Sequence, residues 1–232
     1  MVEAHRTSLV YALAPADVEA VCRITEHALG TVKRSSGESV RAIVDWNPDF
    51  AFMHVFHVCM EQLGMLPSYQ DVRRYAHSDP LGKRMLGEPA KAKVRELVER
   101  GFSERQVRDA MRWRVGNAYY SFLREMYTVV QLRYSGIDVR VHPLADALFR
   151  VDAWVGRTAI SLRVGNKKFR QGLGEGRKTP AEELLGAELP PFKFSTIELA
   201  PATRFGSVHL PSSQHLNAAV ARISAQDPGH RN

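Results

Sequence analysis

The pattern of apolar and polar residues predicts helices in the first half of the chain and a mixture of helices and strands in the second. Between Phe50 and Leu63 almost every position is apolar, and a helix without a polar face is expected to be buried. Asn47-Pro48 predicts where this helix begins, with the asparagine as its cap and the proline in its first turn. Ser68 and Asp71 have the spacing of a capping box, which predicts the start of the next helix.

Midway along the chain the period of the apolar positions changes from that of a helix to that of a strand. From Tyr119 to Val130, apolar residues recur three or four positions apart, which indicates a helix with one buried face. From 137 to 141, apolar and polar residues alternate, which indicates a strand. Two further runs, 147–155 and 158–164, are separated by Gly156-Arg157 and predict a hairpin with a tight turn.

These elements predict an α+β protein with two domains. We expect residues 1–116 to form a helical N-terminal domain and residues 117–226 to form a domain with a mixed sheet flanked by helices. A strand over 192–199 and a helix over 214–223 belong to this second domain. The polar end of the chain, residues 227–232, is expected to be a disordered tail.

Charge and composition narrow the class of partner. The net charge is +7, and the calculated isoelectric point is about 9.6, which favours an acidic partner, of which nucleic acid is the commonest. Cys22 and Cys59 lie far apart, so a disulfide framework is not expected and a reducing cytoplasm is the default location. No apolar run reaches the roughly 20 residues that a membrane-spanning helix needs.

Two basic stretches are candidate contacts for a phosphate backbone. The first is a helix that begins after Gly101 and carries Arg105, Arg108 and Arg112 at helical spacing. The alternative for this helix is a solvated face whose arginines are balanced by nearby acids. The second stretch, residues 165–178, is rich in glycine, which lets the backbone approach a ligand closely; the alternative is a flexible surface loop. Its candidate contacts, together with a residue of the preceding strand, are Arg163, Lys167, Lys168, Arg170, Arg177 and Lys178.

The order helix, strand, hairpin resembles the core of the PD-(D/E)XK nuclease superfamily, the restriction-endonuclease-like fold. In that family a helix precedes a three-strand meander, an acid on the second strand and an acid-x-lysine triplet on the third bind divalent metal, and a helix glutamate often assists. The resemblance implies an α/β-type core for residues 117–226. It places Asp152 at the first acid, Glu125 at the helix acid and Ser161-Leu162-Arg163 at the third motif.

The third motif departs from the family pattern in a way that affects the chemistry. Magnesium prefers hard oxygen ligands, usually one or two carboxylates, and Asp152 with Ser161 would hold Mg²⁺ poorly. Arg163 cannot accept a proton at neutral pH, although it can bind a phosphate. An ordinary solvent-facing carboxylate is the alternative interpretation of Asp152.

The sequence therefore favours a DNA-binding protein on a nuclease-like fold with an incomplete catalytic set, acting in a defence, mobile-element or repair assembly. The first alternative is an active metal-dependent DNA endonuclease in which Glu125, Asp152 and a further acid, Asp138 or Asp146, bind Mg²⁺. The second alternative is a structural adaptor that docks a protein partner. If the protein is an active enzyme, its expected catalytic residues are Glu125, Asp152, Ser161 and Arg163.

Overall fold

The computed structural model describes residues 7–24, 26–164, 181–199, 203–205 and 208–226, and it confirms an α+β fold with a helical N-terminal region. The chain divides into two compact units. The first contains residues 1–9 and 20–123, and the second contains residues 10–19 and 124–232.

The boundary between the units differs from the predicted boundary at residue 116. It falls between Leu123 and Arg124, inside one uninterrupted helix, where no loop or linker composition marks it in the sequence. The second unit also includes an early part of the chain. There the hydroxyl of Tyr11 donates to the carbonyl of Val141 at 2.9 Å and accepts from the amide of Val141 at 3.1 Å.

Helices account for nearly all regular structure up to residue 134. In chain order they are a 3-10 turn at Leu9–Tyr11, α1 (Pro15–Ile24), α2 (Arg34–Gly37), α3 (Arg41–Val44), α4 (Phe52–Leu63), α5 (Tyr69–Ser78), α6 (Pro80–Gly82), a π-helical turn at Lys83–Gly87, α7 (Glu88–Glu99) and α8 (Glu104–Tyr134).

Helix α4 is the buried helix that the apolar run predicts. Val55, Phe56, Cys59 and Met60 are fully buried, because the helix is apolar on nearly every side. The predicted start at Asn47-Pro48 is wrong, since α4 begins at Phe52. The side-chain amide of Asn47 instead donates to the carbonyl of Asp45, so the asparagine closes a preceding turn.

The helices that follow α4 are positioned by local capping and by two close backbone contacts. The predicted capping box is confirmed: Ser68 accepts from the amide of Asp71, and the Asp71 carboxylate accepts from the amide of Ser68. At Gly82 and Gly87 an added Cβ atom would collide with the carbonyl oxygens of Tyr75 and Ala76. Glycine is therefore required at both positions, where the chain from α6 to α7 passes directly over the end of α5.

The start of α8 packs as its apolar spacing predicts. Its buried residues Val107, Ala110 and Met111 form one core cluster with residues of α3 and α7, and Val115 packs against this cluster. Between these positions Arg108 is exposed, whereas Arg114 is partly buried: a terminal nitrogen donates to the carbonyl of Trp46, and the guanidinium lies over the ring of Phe52.

In the second unit, helices accompany a small mixed sheet. The elements after α8 are α9 (Pro143–Phe149), β1 (Ala153–Val155), β2 (Thr158–Val164), α10 (Ala181–Leu185), β3 (Lys193–Leu199), β4 (Thr203–Phe205), β5 (Val208–Leu210) and α11 (Ser213–Gln226). The sheet has the order β1-β2-β3, with β1 and β2 antiparallel and β2 and β3 parallel. Strands β4 and β5 form a separate antiparallel pair.

Two of the predicted strands in this unit are wrong in part. Residues 137–141 do not form a continuous strand: Ile137 and Arg140 are single bridge residues, and Arg140 pairs antiparallel with Trp154. The first part of the run 147–155 is the end of helix α9, which His142 caps and in which Pro143 occupies the first turn. The predicted strand at 158–164 is confirmed as β2, and Gly156, with φ of +52°, makes the predicted turn before it.

We expect Phe56→Asp to destabilise the first unit strongly, because it places an unpaired charge where the side chain is fully buried. A loss of about 3 to 5 kcal/mol is expected, measured by urea unfolding. Phe102→Asp is the matched control, because Phe102 is 41% exposed, and its effect should be small. Equal unfolding midpoints for Phe56→Asp and the parent would show that α4 is not the core helix.

Candidate functional site

A basic groove crosses the surface of the first unit between α5, α7 and α8. It consists of two adjoining cavities of about 620 Å³ and 440 Å³, which share residues of all three helices. The positively charged side chains that line it are Arg73, Arg74, Lys91, Arg95, Arg108 and Arg112. Among the described lining residues Glu104 is the only acid, so the groove has a strong excess of positive charge.

The floor of the basic groove is apolar. Ala90, Val94 and Val98 lie one turn apart on α7 and face Met111 of α8, so the stripe that packs helix against helix also borders the groove. Tyr69, at the start of α5, completes the floor and is 5% exposed. Burial raises the pKa of the Tyr69 hydroxyl, while Arg112 and Arg73 act to lower it, and the phenol stays neutral at neutral pH.

Arg112 is held in a fixed position in the groove. Its Nε donates to the carbonyl of Ala28 at 3.0 Å, and a terminal nitrogen donates to the carbonyl of His27. Gly30 has φ of +57°, and an added Cβ there would collide with the Arg112 guanidinium, so this group lies directly against the glycine backbone. The Tyr120 hydroxyl accepts from the amide of Ala28 at 2.9 Å, which ties the supporting loop back to α8.

The other cations of the groove remain accessible to an anion. Arg108 pairs with Glu104 at 2.7 Å and Lys91 pairs with Glu88 at 2.9 Å, but these pairs are exposed, and exposed pairs contribute little and exchange readily. Arg73 and Arg95 are exposed as well. None of the described residues makes a hydrogen bond or an ion pair with either of their guanidinium groups.

The structure brings together only some of the predicted phosphate contacts. Arg108 and Arg112 line the basic groove, whereas Arg105 is exposed on α8 and is not among its lining residues. The contributions of Arg73, Lys91 and Arg95 were not predicted from the sequence. For Lys91 and Arg95, the feature in the sequence that could have indicated a role is their position beside the apolar residues of α7. Only the packing of α7 on α8, however, shows that the basic faces of these two helices meet.

Several predicted contacts lie outside the described residues. These are Lys167, Lys168, Arg170, Arg177 and Lys178, and the side chain of Arg163. The backbone of Arg163 belongs to β2 and pairs in register with Glu198 of β3.

In the second unit, Asp152 lies beside the strand that carries Ser161. Its carboxylate accepts from the amide of Leu162 at 2.5 Å, and its own amide donates to the carbonyl of Ile160 at 3.1 Å. The structure thus brings Asp152 next to the Ser161-Leu162-Arg163 triplet, as the hairpin predicts. One oxygen of the carboxylate is already committed to the backbone of β2.

Two of the other candidate acids, Glu125 and Asp138, lie in constrained surroundings. Glu125 is buried in α8, where burial and the neighbouring Asp146 raise the pKa of its carboxyl well above the ordinary value and so disfavour the ionised form. Burial acts to raise the pKa of Asp138, but hydrogen bonds from Arg140 and Arg133 outweigh it and lower this pKa. Asp138 is therefore ionised and held between two arginines.

These acids do not fit a magnesium ion. Within the ranges that the structure describes, no three histidine, cysteine, aspartate or glutamate side chains are grouped so that they could hold a metal. Mg²⁺ is usually bound through one or two ionised carboxylates, and burial disfavours the ionised form of Glu125. In the same ranges no helix has the length and apolar character to cross a membrane.

We expect Glu125→Gln to be more stable than the parent at neutral pH. A carboxyl whose pKa is raised by folding contributes stability that is present below its unfolded pKa of about 4.3 and is lost as the pH rises through the folded pKa. Glutamine keeps the shape without titrating, so the difference between the two proteins should grow from pH 4 to pH 8. Denaturant unfolding at each pH measures this, and a variant that is less stable by the same amount at every pH would contradict it.

Among the described residues, the basic groove combines an excess of positive charge with open cavities of about 620 Å³ and 440 Å³. By contrast, Asp152 accepts from a backbone amide, Asp138 pairs with arginines and Glu125 lies in the protein interior. No family model, no curated protein and no solved structure matches the chain.

Proposed function

We propose that this is a DNA-binding protein and that the basic groove is its phosphate-binding surface. The observation that carries the proposal is the excess of cations that three separate helices direct into one groove, with Glu104 as the opposing acid among the described lining residues. The whole chain has a net charge of +7, which attracts a polyanion at long range.

The physical basis of binding is the release of counterions from the phosphate backbone. Each cation that pairs with a phosphate displaces a condensed counterion, so the affinity depends steeply on salt. Arg112 is already fixed by Ala28 and Gly30, and it therefore loses little conformational freedom when it binds. Arginine also binds phosphate with two parallel hydrogen bonds, which makes the groove better suited to phosphate than a lysine surface would be.

We further propose that the second unit has a nuclease-like fold whose catalytic set is incomplete. Support comes from the order of elements, in which helix α8 and the short helix α9 are followed by the β1–β2 hairpin and then by a helix and the parallel strand β3. Asp152 lies against the strand that carries Ser161 and Arg163, where the nuclease family has its second acid and its lysine. A serine and an arginine at these positions supply neither a metal ligand of equal strength nor a base.

A role within a cytoplasmic defence, mobile-element or repair assembly requires a protein partner as well as DNA. The exposed apolar side chains of α9 and α10 are candidates for such a contact, because large exposed apolar residues are a feature of protein interfaces. Leu148 is 61% exposed, Phe149 is 44% exposed and Leu184 is 41% exposed.

We expect neutralisation of the groove to weaken DNA binding. In the triple variant Arg73→Gln, Arg95→Gln and Arg108→Gln, the affinity should fall. The slope of log affinity against log salt should decrease by about 0.9 for each phosphate that the protein no longer neutralises. Fluorescence anisotropy with a labelled oligonucleotide measures both quantities.

The matched control removes the same charge outside the groove, with Arg34→Gln, Arg41→Gln and Arg100→Gln. These three arginines form exposed ion pairs within their own helices or at a helix end. The control should keep most of the affinity. Equal losses in both triple variants would mean that net charge, and not the groove, accounts for binding.

We expect no DNA cleavage dependent on magnesium or manganese. Burial raises the pKa of Glu125 and disfavours its ionised form, one Asp152 oxygen accepts from the Leu162 amide, and Ser161 has no carboxylate. The assay compares the parent with Asp152→Ala and Glu125→Ala on plasmid, linear and single-stranded DNA. Cleavage by the parent that Asp152→Ala abolishes would establish the active nuclease instead.

A further inference from the structure

We infer that the basic groove takes single-stranded nucleic acid, with unstacked bases on its apolar floor and phosphates on its cationic rim. This inference rests on the proposed function and specifies the form of the DNA. The observation behind it is that two different chemistries occupy one groove: a stripe of aliphatic side chains and the arginines and lysine that flank it.

The apolar floor distinguishes a single strand from a duplex. A duplex keeps the faces of its bases stacked inside and presents phosphates, sugars and polar base edges to a protein. If a duplex lay over the groove, the partly exposed Val94 and Val98 would face polar groups and gain nothing from the contact. An unpaired base has an exposed apolar face that can cover these side chains and remove their surface from water.

The dimensions of the groove agree with this occupant. Its larger cavity is about 620 Å³ and the adjoining one is about 440 Å³. Cavities of roughly 300 to 1,000 Å³ enclose ligands of drug size, which is about the size of one or two nucleotides. A duplex can only lie across such an opening, whereas a single strand can place bases within it.

The cations form two rows on either side of the floor. Lys91 and Arg95 are one turn apart on α7, and Arg108 and Arg112 are one turn apart on α8. Four residues of helix rise by about 6 Å, which is of the order of the separation between neighbouring phosphates in an extended strand. Each row is therefore placed to follow the backbone of a strand whose bases turn inward.

Arg112 adds a second kind of contact with the bases. Its planar guanidinium lies against the Gly30 backbone, is fixed by the carbonyls of Ala28 and His27, and still lines the groove. A fixed guanidinium plane is a surface on which a base can stack as well as a donor to phosphate. Tyr69 is too deeply buried for full stacking, so the aliphatic floor and Arg112 provide the base contacts.

The test compares the binding of one oligonucleotide in two forms to the protein. A labelled twenty-residue oligonucleotide of mixed, non-self-complementary sequence and the blunt duplex made with its complement are titrated by anisotropy at several salt concentrations. We expect the single strand to bind about tenfold more tightly than the duplex at the same salt.

Two variants of the floor separate base contacts from phosphate contacts. Ala90→Leu fills the floor and Val94→Thr makes it more polar, and neither changes the charge. Both should reduce the affinity for the single strand towards that for the duplex and leave duplex binding unchanged. The matched control is Ala92→Leu, at an exposed position on α7 outside the floor, which should change neither affinity. Thermal melting of each variant verifies that it is folded.

The outcomes distinguish this inference from the function on which it rests. Duplex binding as tight as single-strand binding, unchanged by Ala90→Leu and Val94→Thr but weakened by the groove triple variant, would overturn the inference and keep the DNA-binding function. If neither form binds, or if the groove triple variant binds both forms like the parent, the proposed function fails as well.

Discussion

The packing of Tyr119 is the contact on which the first unit depends. Its ring is fully buried and lies 6.0 Å from the ring of Phe56 in α4 and 5.3 Å from the ring of Tyr69 in α5, measured between centroids. Its hydroxyl donates to the carbonyl of Pro67 at 2.8 Å, just before the capping box of α5. One side chain of α8 thus fixes the position of both earlier helices, and the aromatic contacts add to the burial of their area.

The basic groove follows from this arrangement. Tyr119 holds α5 against α8, and the glycines at 82 and 87 let the chain turn closely over α5 so that α7 lies along the other side. Each helix has an ordinary apolar face and an ordinary basic face. The excess of charge arises only because the packing of three apolar faces brings three basic faces to one opening, where the cations repel one another until an anion binds.

The two units differ in what their charged residues can do. In the first unit, Arg73 and Arg95 are exposed and Arg112 is fixed but open to the groove. In the second unit, Asp152 accepts from a strand amide, and burial disfavours the ionised form of Glu125. Because of this contrast we propose binding, and not hydrolysis, as the function.

Much of the local structure could be predicted from the sequence, because it depends on neighbouring residues. The buried helix around Phe56, the Ser68 capping box and the strand 158–164 have strong local signals, and the structure confirms each one. The strand predicted for the run 147–155 is wrong at its start, where the structure has the end of a helix that begins at Pro143. The apolar residues of the run suggested a strand and hid the signal of this helix start. The side-chain hydrogen bond of Asn47 to Asp45 is not visible in a pattern of apolar positions.

The candidate site was only partly predictable for a different reason. Arg108 and Arg112 belong to one helix, and their spacing is readable from the sequence. Arg73 and Arg95 belong to other helices, and their place in the groove depends on tertiary packing across Tyr119 and Gly87. The hydrogen bond that fixes Arg112 could not be predicted either, because its acceptor, the carbonyl of Ala28, is far away in the chain.

Hydrogen exchange in the presence and absence of a single-stranded oligonucleotide locates the bound strand without any substitution. We expect slower exchange on binding in α5, α7 and the first turns of α8, within residues 69–112, and unchanged exchange in β3 and α11. Protection confined to the second unit, with unchanged exchange in α5 and α7, would contradict the basic groove as the binding surface.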